Sequence, residues 1–253
     1  GGGANIAAAA VLATPADGYT ILSSIDTTFT VNQSLFKKLP FDPERDFIPI
    51  SVLAKFGQML AVHPSLPVKN LQDLVALSKQ RDIFYGSAGN GLPSHLSFAY
   101  LQAVTGLRAT HVPYQGNPPT LLGLMRDDVQ AAMVISTSLL PHAATGKLRL
   151  LAYSDSTRSE VVPDVPTVAE QGFKGFEVVF SYVLLAPAGT PLPIVERLRE
   201  EAARAVMSQE VRDRLRSVDT VPVAMSPKDS AAWLRSNREK WTKVVEQMKI
   251  SVD

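Results

Sequence analysis

The residues most able to do chemistry in this chain lie in IFYGSAGNGLPSHLSFAYLQAVTG, residues 83–106. The segment reads as a short strand, a glycine-rich turn and an amphipathic helix. The first N–H groups of a helix have no partner within it, and the positive end of its dipole favours a carboxylate or phosphate. Gly86, Gly89 and Gly91 let the backbone approach such an anion, and Ser87, Asn90 and Ser94 add hydroxyl and amide groups. The spacing matches neither the dinucleotide G-x-G-x-x-G nor a phosphate loop ending in Gly-Lys-Ser/Thr, so the turn alone leaves structural and ligand-binding readings open.

Catalytic machinery is hard to assemble from the rest. His63, His95, His111 and His142 are scattered, without the paired spacing of a metal site. Ser87 sits in Gly-Ser-Ala-Gly, which lacks the spacing of a nucleophile elbow. There is no cysteine for a disulfide or thiol chemistry. No cofactor, metal or catalytic residue is expected. Tyr153, Trp233 and Trp241 read as packing residues.

The elements that must position the turn alternate between strand and helix, the pattern of an α/β protein with helices over a largely parallel sheet. A helix over 4–13 precedes a turn at Pro15-Ala16-Asp17-Gly18 and a strand over 19–23. A polar loop, residues 24–28, follows at the strand's carboxyl end, where ligands bind in open α/β sheets. A β-rich stretch over 47–63 leads to a helix over 70–80, with Asn70 as its cap and Asp73 in its first turn. After the glycine turn, a strand over 110–113 runs through Tyr114 into a helix over 120–125. A strand over 129–135 runs into the polar turn Ser136-Thr137-Ser138, and another strand spans 148–153. Three polar turns after strands are thus available to line one crevice. PDVPTVAEQGF predicts a short helix with Thr167 and Glu170 as a capping box and Gly172 as its stop. The tail is helical over 193–206 and again after the cap signature Ser226-Pro227-Lys228-Asp229.

The chain has 253 residues, 45% hydrophobic and 19% charged, with a net charge of +1. That composition suits a globular protein with room for two domains, and without Lys/Arg blocks it excludes a nucleic-acid or membrane-surface role. No apolar run is long enough to span a bilayer. The chain opens GGGANIAAAA, with neither an initiator Met nor an export signal, so an upstream segment is expected.

Together, DGYTILSS, NQSLFKKLPFDPERDFIPIS, YGSAGNG, HVPYQG, LLPHAATGKLRLLA, VPDVPTVAEQGF and LLAPAGTP resemble the Bug-type periplasmic solute-binding receptors of tripartite tricarboxylate transporters, in the family's order and over essentially the whole chain. The resemblance implies a two-domain, type II periplasmic-binding-protein fold that closes around a small carboxylate in an interdomain cleft. It also implies a periplasmic location and membrane-embedded transporter subunits as partners of a monomeric receptor. It places residues 1–52 and 183–253 in one domain and 53–182 in the other. Ligand contacts are implied at Ser24, Asp26 and Thr27, at Gly86, Ser87, Ala88, Gly89, Asn90 and Ser94, and at Tyr114 and Ser136. Family members begin with a further strand, ligand loop, helix and strand, so the first domain is expected to be incomplete at its N-terminus. Where many amino-acid-binding relatives carry an aspartate this chain has Val134, and where Thr or Ser often follows the Gly-Asn-Gly turn it has Leu92. A plain carboxylate is therefore favoured over an amino acid. The alternatives are an α/β enzyme acting on an anionic metabolite and a non-transporting sensor or truncated paralogue.

Overall fold

A computed structural model describes residues 4–250. In chain order its elements are α1 (Asn5–Leu12), β1 (Leu22–Ile25), α2 (Thr27–Thr30), α3 (Asn32–Leu35), β2 (Phe47–Gly57), β3 (Met59–Val62), α4 (Leu71–Leu77), β4 (Phe84–Ser87), α5 (Pro93–Thr105) and β5 (Thr110–Pro113). There follow α6 (Asn117–Met125), β6 (Ala131–Val134), α7 (Ser136–Ala144), β7 (Arg149–Tyr153), β8 (Val179–Pro187), α8 (Leu192–Val206), α9 (Gln209–Ser217), β9 (Thr220–Pro222) and α10 (Pro227–Met248). They form two compact units. One holds the described residues up to Lys55 and from Phe180 onward; the other is Phe56–Val179. The chain passes between them within β2 and β8.

The first unit is built on a four-stranded sheet ordered β1-β8-β2-β9, with β1 antiparallel to β8. Its core gathers Phe29, Phe41 and Phe47 at centroid separations of 5.1 to 5.8 Å, beside Val52, Val183, Leu185 and Leu234. The helix α10 starts where Ser226 accepts the Asp229 N–H, with Pro227 in the first turn. It buries Leu234, Trp241 and Val245, and the Trp241 ring stacks on Phe180 at 5.5 Å.

The second unit is a five-stranded sheet ordered β5-β4-β6-β3-β7. β4 runs parallel to both β5 and β6, whereas β3 is antiparallel to β6 and β7. The expectation of a largely parallel sheet is corrected by this mixed order. Apolar patterning marks a strand but not its direction, which depends on how the connections pass. The α4 cap is formed as expected, Asn70 accepting the Asp73 N–H at 2.8 Å.

Other local readings shift. The strand expected over 19–23 is β1 at Leu22–Ile25, while Tyr19 is 93% exposed after a turn in which its N–H donates to Asp17. The expected polar loop 24–28 is the end of β1 and the start of α2, with Asp26, Thr27 and Thr28 buried. Likewise Ser136 opens α7. In PDVPTVAEQGF the capping box closes, since Thr167 N–H donates to Glu170 and Glu170 N–H to Thr167, yet turns take the place of a helix. Val168 N–H donates to Tyr153 O and Tyr153 N–H to Pro166 O, so the backbone is drawn onto β7 instead of propagating i to i−4 bonds. The strands β8 and β9 and the helix α9 are additions to the sequence reading.

Removing the α10 cap with Ser226→Ala is expected to cost about 1 kcal/mol of stability, read as a lower urea midpoint with unchanged slope.

Candidate functional site

In the second unit the parallel register sets Ser87 of β4 opposite Pro113 of β5, and Gly86 opposite Ala132 of β6. The three strands therefore end on the same edge of the sheet, and each runs into a helix, α5, α6 or α7. The turns carrying Ala88 to Ser94, Tyr114 and Ser136 all follow from that edge. Tyr114 N–H donates to Ser87 O and Gly116 N–H to Ala88 O, which ties the first two turns together.

Glycine relieves crowding here. A Cβ on Gly86 would lie 3.0 Å from Thr120 Cγ2 and 3.1 Å from Val129 Cγ2; one on Gly123 would lie 2.3 Å from Tyr114 Oη. Gly123 thus makes the space in which the Tyr114 ring lies against the core of Met59, Leu124, Val129 and Val134. Gly89 has φ +141°, a conformation open to glycine but not to L side chains.

Most donors of the glycine turn are already engaged. Ala88 N–H donates to Ser94 Oγ at 2.9 Å, Gly89 N–H to Ser87 Oγ at 3.2 Å and Gly91 N–H to His95 Nδ1 at 3.1 Å. Leu92 N–H donates to Gly89 O at 3.3 Å, and Pro93 has none to give. Among the described residues, the N–H groups of Asn90 and Ser94 donate to no acceptor. The reason is local. Ser94 is the second residue of α5, where an N-cap side chain would normally accept, and the cap here is Leu92. The turn therefore offers two backbone donors and the exposed Asn90 amide at the positive end of a 13-residue helix. The side chains of Ser87 and Ser94 are buried and spend their hydroxyls on the turn itself.

In the first unit, Ser24 Oγ and Thr28 Oγ1 share a hydrogen bond of 2.9 Å. Asp26 is 1% exposed. Its Oδ2 accepts the Ser181 hydroxyl at 2.8 Å, and that oxygen accepts the Trp233 indole N–H at 3.0 Å. The Lys55 ammonium stands 3.5 Å from the centroid of the Trp233 ring. Asp26 Oδ1 has no hydrogen-bond partner among the described residues. Burial pushes the Asp26 carboxyl up to about 6, against hydrogen bonds from Ser181, Trp233 and Thr27 that pull the other way. A buried carboxyl with one oxygen unused is costly to folding and marks a candidate contact. Sequence spacing announces neither Ser181 nor Trp233 as its neighbours.

The chain matches the family described as "Tripartite tricarboxylate transporter family receptor" over residues 1–250. The chain belongs to this family. As a receptor it is a binding protein and not an enzyme. It is similar to BugT of Bordetella pertussis, 29% identical over 98% of this chain and 77% of that protein. A solved R. palustris protein with adipate is 32% identical, with a TM-score of 0.88 over 98% of this chain and 84% of that one. MatC from Rhodopseudomonas palustris, solved with malate, is 30% identical with a TM-score of 0.84, covering 97% and 85% of the two chains. The receptor shares with these solved relatives the mixed α/β, two-domain fold of periplasmic solute-binding proteins. None of its described helices is long and apolar enough to cross a membrane.

The raised Asp26 predicts a stability profile. Folded, the carboxyl keeps its proton up to about pH 6; unfolded, it releases it near 3.8. Stability from this group is present below pH 3.8 and is lost as pH rises through 6, a penalty on the order of 3 kcal/mol that is complete above it. Asp26→Asn is expected to exceed the wild type in urea midpoint at pH 7.5, with the gap closing as the pH is lowered towards 4.

Proposed function

We propose that this receptor captures a small organic carboxylate and delivers it to the membrane-embedded subunits of its transporter. The observation that carries the reading is the pair of unengaged N–H groups, Asn90 and Ser94, at the start of α5. They converge with the helix dipole where a carboxylate is stabilised without a formal positive side chain. The relatives solved with adipate and with malate support a dicarboxylate as the class.

In this reading Asn90 and Ser94 bond the ligand directly, and Gly86, Ser87, Ala88 and Gly89 shape the turn that presents them. Tyr114 and Ser136, on the same sheet edge, supply further contacts. The first unit contributes Ser24, Asp26 and Thr27, with Asp26 Oδ1 able to accept from a ligand hydroxyl or, when protonated, to donate to a carboxylate. The receptor works as a monomer in the periplasm, without a cofactor and without nucleic acid. Val134 is fully buried in the core of the second unit and provides no carboxylate for a ligand amine, which favours a hydroxy or plain diacid over an amino acid.

Isothermal titration calorimetry with malate, adipate and aspartate tests the proposal. Malate or adipate is expected to bind at least 10-fold more tightly than aspartate. Gly89→Ala, forced away from φ +141°, is expected to weaken that binding by 10-fold or more while the fold is retained. Tighter binding of aspartate, or Gly89→Ala binding like wild type, would overturn the carboxylate assignment or the role of the turn respectively.

A further inference from the structure

Two histidines with no sequence relationship meet beneath the glycine turn. His95 from α5 and His111 from β5 stack with ring centroids 3.9 Å apart and planes within 7°. Tyr85 of β4 lies 4.9 Å from His111 and 6.5 Å from His95 and stacks on Phe98 at 3.8 Å, so the four rings cluster at the strand that leads into the turn. The titratable groups facing each imidazole are Tyr85 and the other histidine.

The hydrogen bonds specify how His95 is protonated and tie His111 to Ser87. His95 Nδ1 accepts the Gly91 N–H, so its proton is on Nε2. Ser87 Oγ lies 2.6 Å from His111 Nε2 and 3.3 Å from Gly89 O. The 2.6 Å bond is made either by the Ser87 hydroxyl donating to His111 Nε2 or by Nε2–H donating to Ser87 Oγ while the hydroxyl donates to Gly89 O. In both arrangements Ser87 Oγ keeps a lone pair to accept the Gly89 N–H at 3.2 Å. The two rings thus hold opposite ends of the turn, one directly at Gly91 and one through Ser87 at Gly89.

We propose that His95 and His111 are positioning residues for ligand binding, a neutral stacked pair whose ring nitrogens hold Gly91 directly and Gly89 through Ser87, so that Asn90 and Ser94 are left to face the ligand. The inference rests on the reading of this turn as the carboxylate contact. A protonated His95 would turn a donor towards the Gly91 N–H, and the turn would open there. Burial opposes this: it lowers His95 to about 3, with the neighbouring His111 adding to the effect, and lowers His111 to about 4. The pair therefore stays neutral over the whole physiological range.

The test compares variants that keep a polar partner for the turn with variants that keep only the ring. His95→Asn places an oxygen at the level of Nδ1, and His111→Gln places one at the level of Nε2; His95→Phe and His111→Phe retain stacking alone. Two measurements are made on each: calorimetric affinity for malate and adipate, and amide hydrogen exchange at Gly89 and Gly91 in the ligand-free protein. Both Phe variants are expected to lose at least 10-fold in affinity. His95→Phe should speed exchange at Gly91 and His111→Phe at Gly89 by a similar factor, and the Asn and Gln variants should stay within about 3-fold of wild type. In the wild type Gly91 should remain protected from pH 8 down to 5 and lose protection as the pH approaches 3, whereas His95→Asn should keep it, because an amide does not titrate. Phe and amide variants that behave alike in exchange would overturn the proposal. Wild-type protein that binds neither diacid would overturn the ligand reading on which it rests, and the exchange data would still show whether the histidines hold the turn.

Discussion

A glycine-rich turn can present donors to a ligand only if it does not collapse onto its own carbonyls, and in this receptor the constraint is met by giving most of its N–H groups an internal acceptor. Ser87, Ser94 and His95 each accept one, and Gly89 O takes a fourth. What remains, at Asn90 and Ser94, follows from the identity of the residue before α5. A serine or aspartate at Leu92 would cap the helix and consume a donor; leucine leaves it unspent. Some helix stability is thereby exchanged for a place where an anion can bind.

The turn depends in its turn on the sheet beneath it. Parallel pairing of β4 with β5 and β6 puts three strand-to-helix junctions on one edge, and parallel strands need covering helices, which α5, α6 and α7 provide. Close packing then dictates the glycines. Gly86 lies under Thr120 and Val129, which an added Cβ would push aside by a few tenths of an ångström, and Gly123 lies under Tyr114, whose ring an added Cβ would displace. Loss of either would move an element that carries the site, in addition to the strain it introduces.

Both units bury ionisable groups whose charged form is disfavoured, with opposite signs. In the first, desolvation holds a proton on Asp26 into the mildly acid range; in the second, it keeps protons off His95 and His111. Acidification relieves the first group and strains the other two. Each histidine has a ring nitrogen hydrogen-bonded to the turn, so its burial is compensated in part. Asp26 retains an unpaired oxygen, and the resulting cost to folding is of the kind that persists at sites where stability gives way to binding.

By itself the sequence determined whatever is settled within a few residues: the caps at Asn70 and Ser226, the strand-turn-helix at Gly86 to Pro93, the Thr167 and Glu170 capping box, and a run of blocks sufficient to identify a receptor family. These depend on hydrogen bonds and apolar spacing that travel with the local chain. Tertiary structure decided the rest. Strand direction in the five-stranded sheet, the turns that replace a helix after Thr167, the meeting of His95 with His111, and the placing of Ser181 and Trp233 around Asp26 all require partners distant in sequence. No spacing rule reaches across such separations, because which groups meet is set by the order in which strands enter a sheet and by the burial that order imposes.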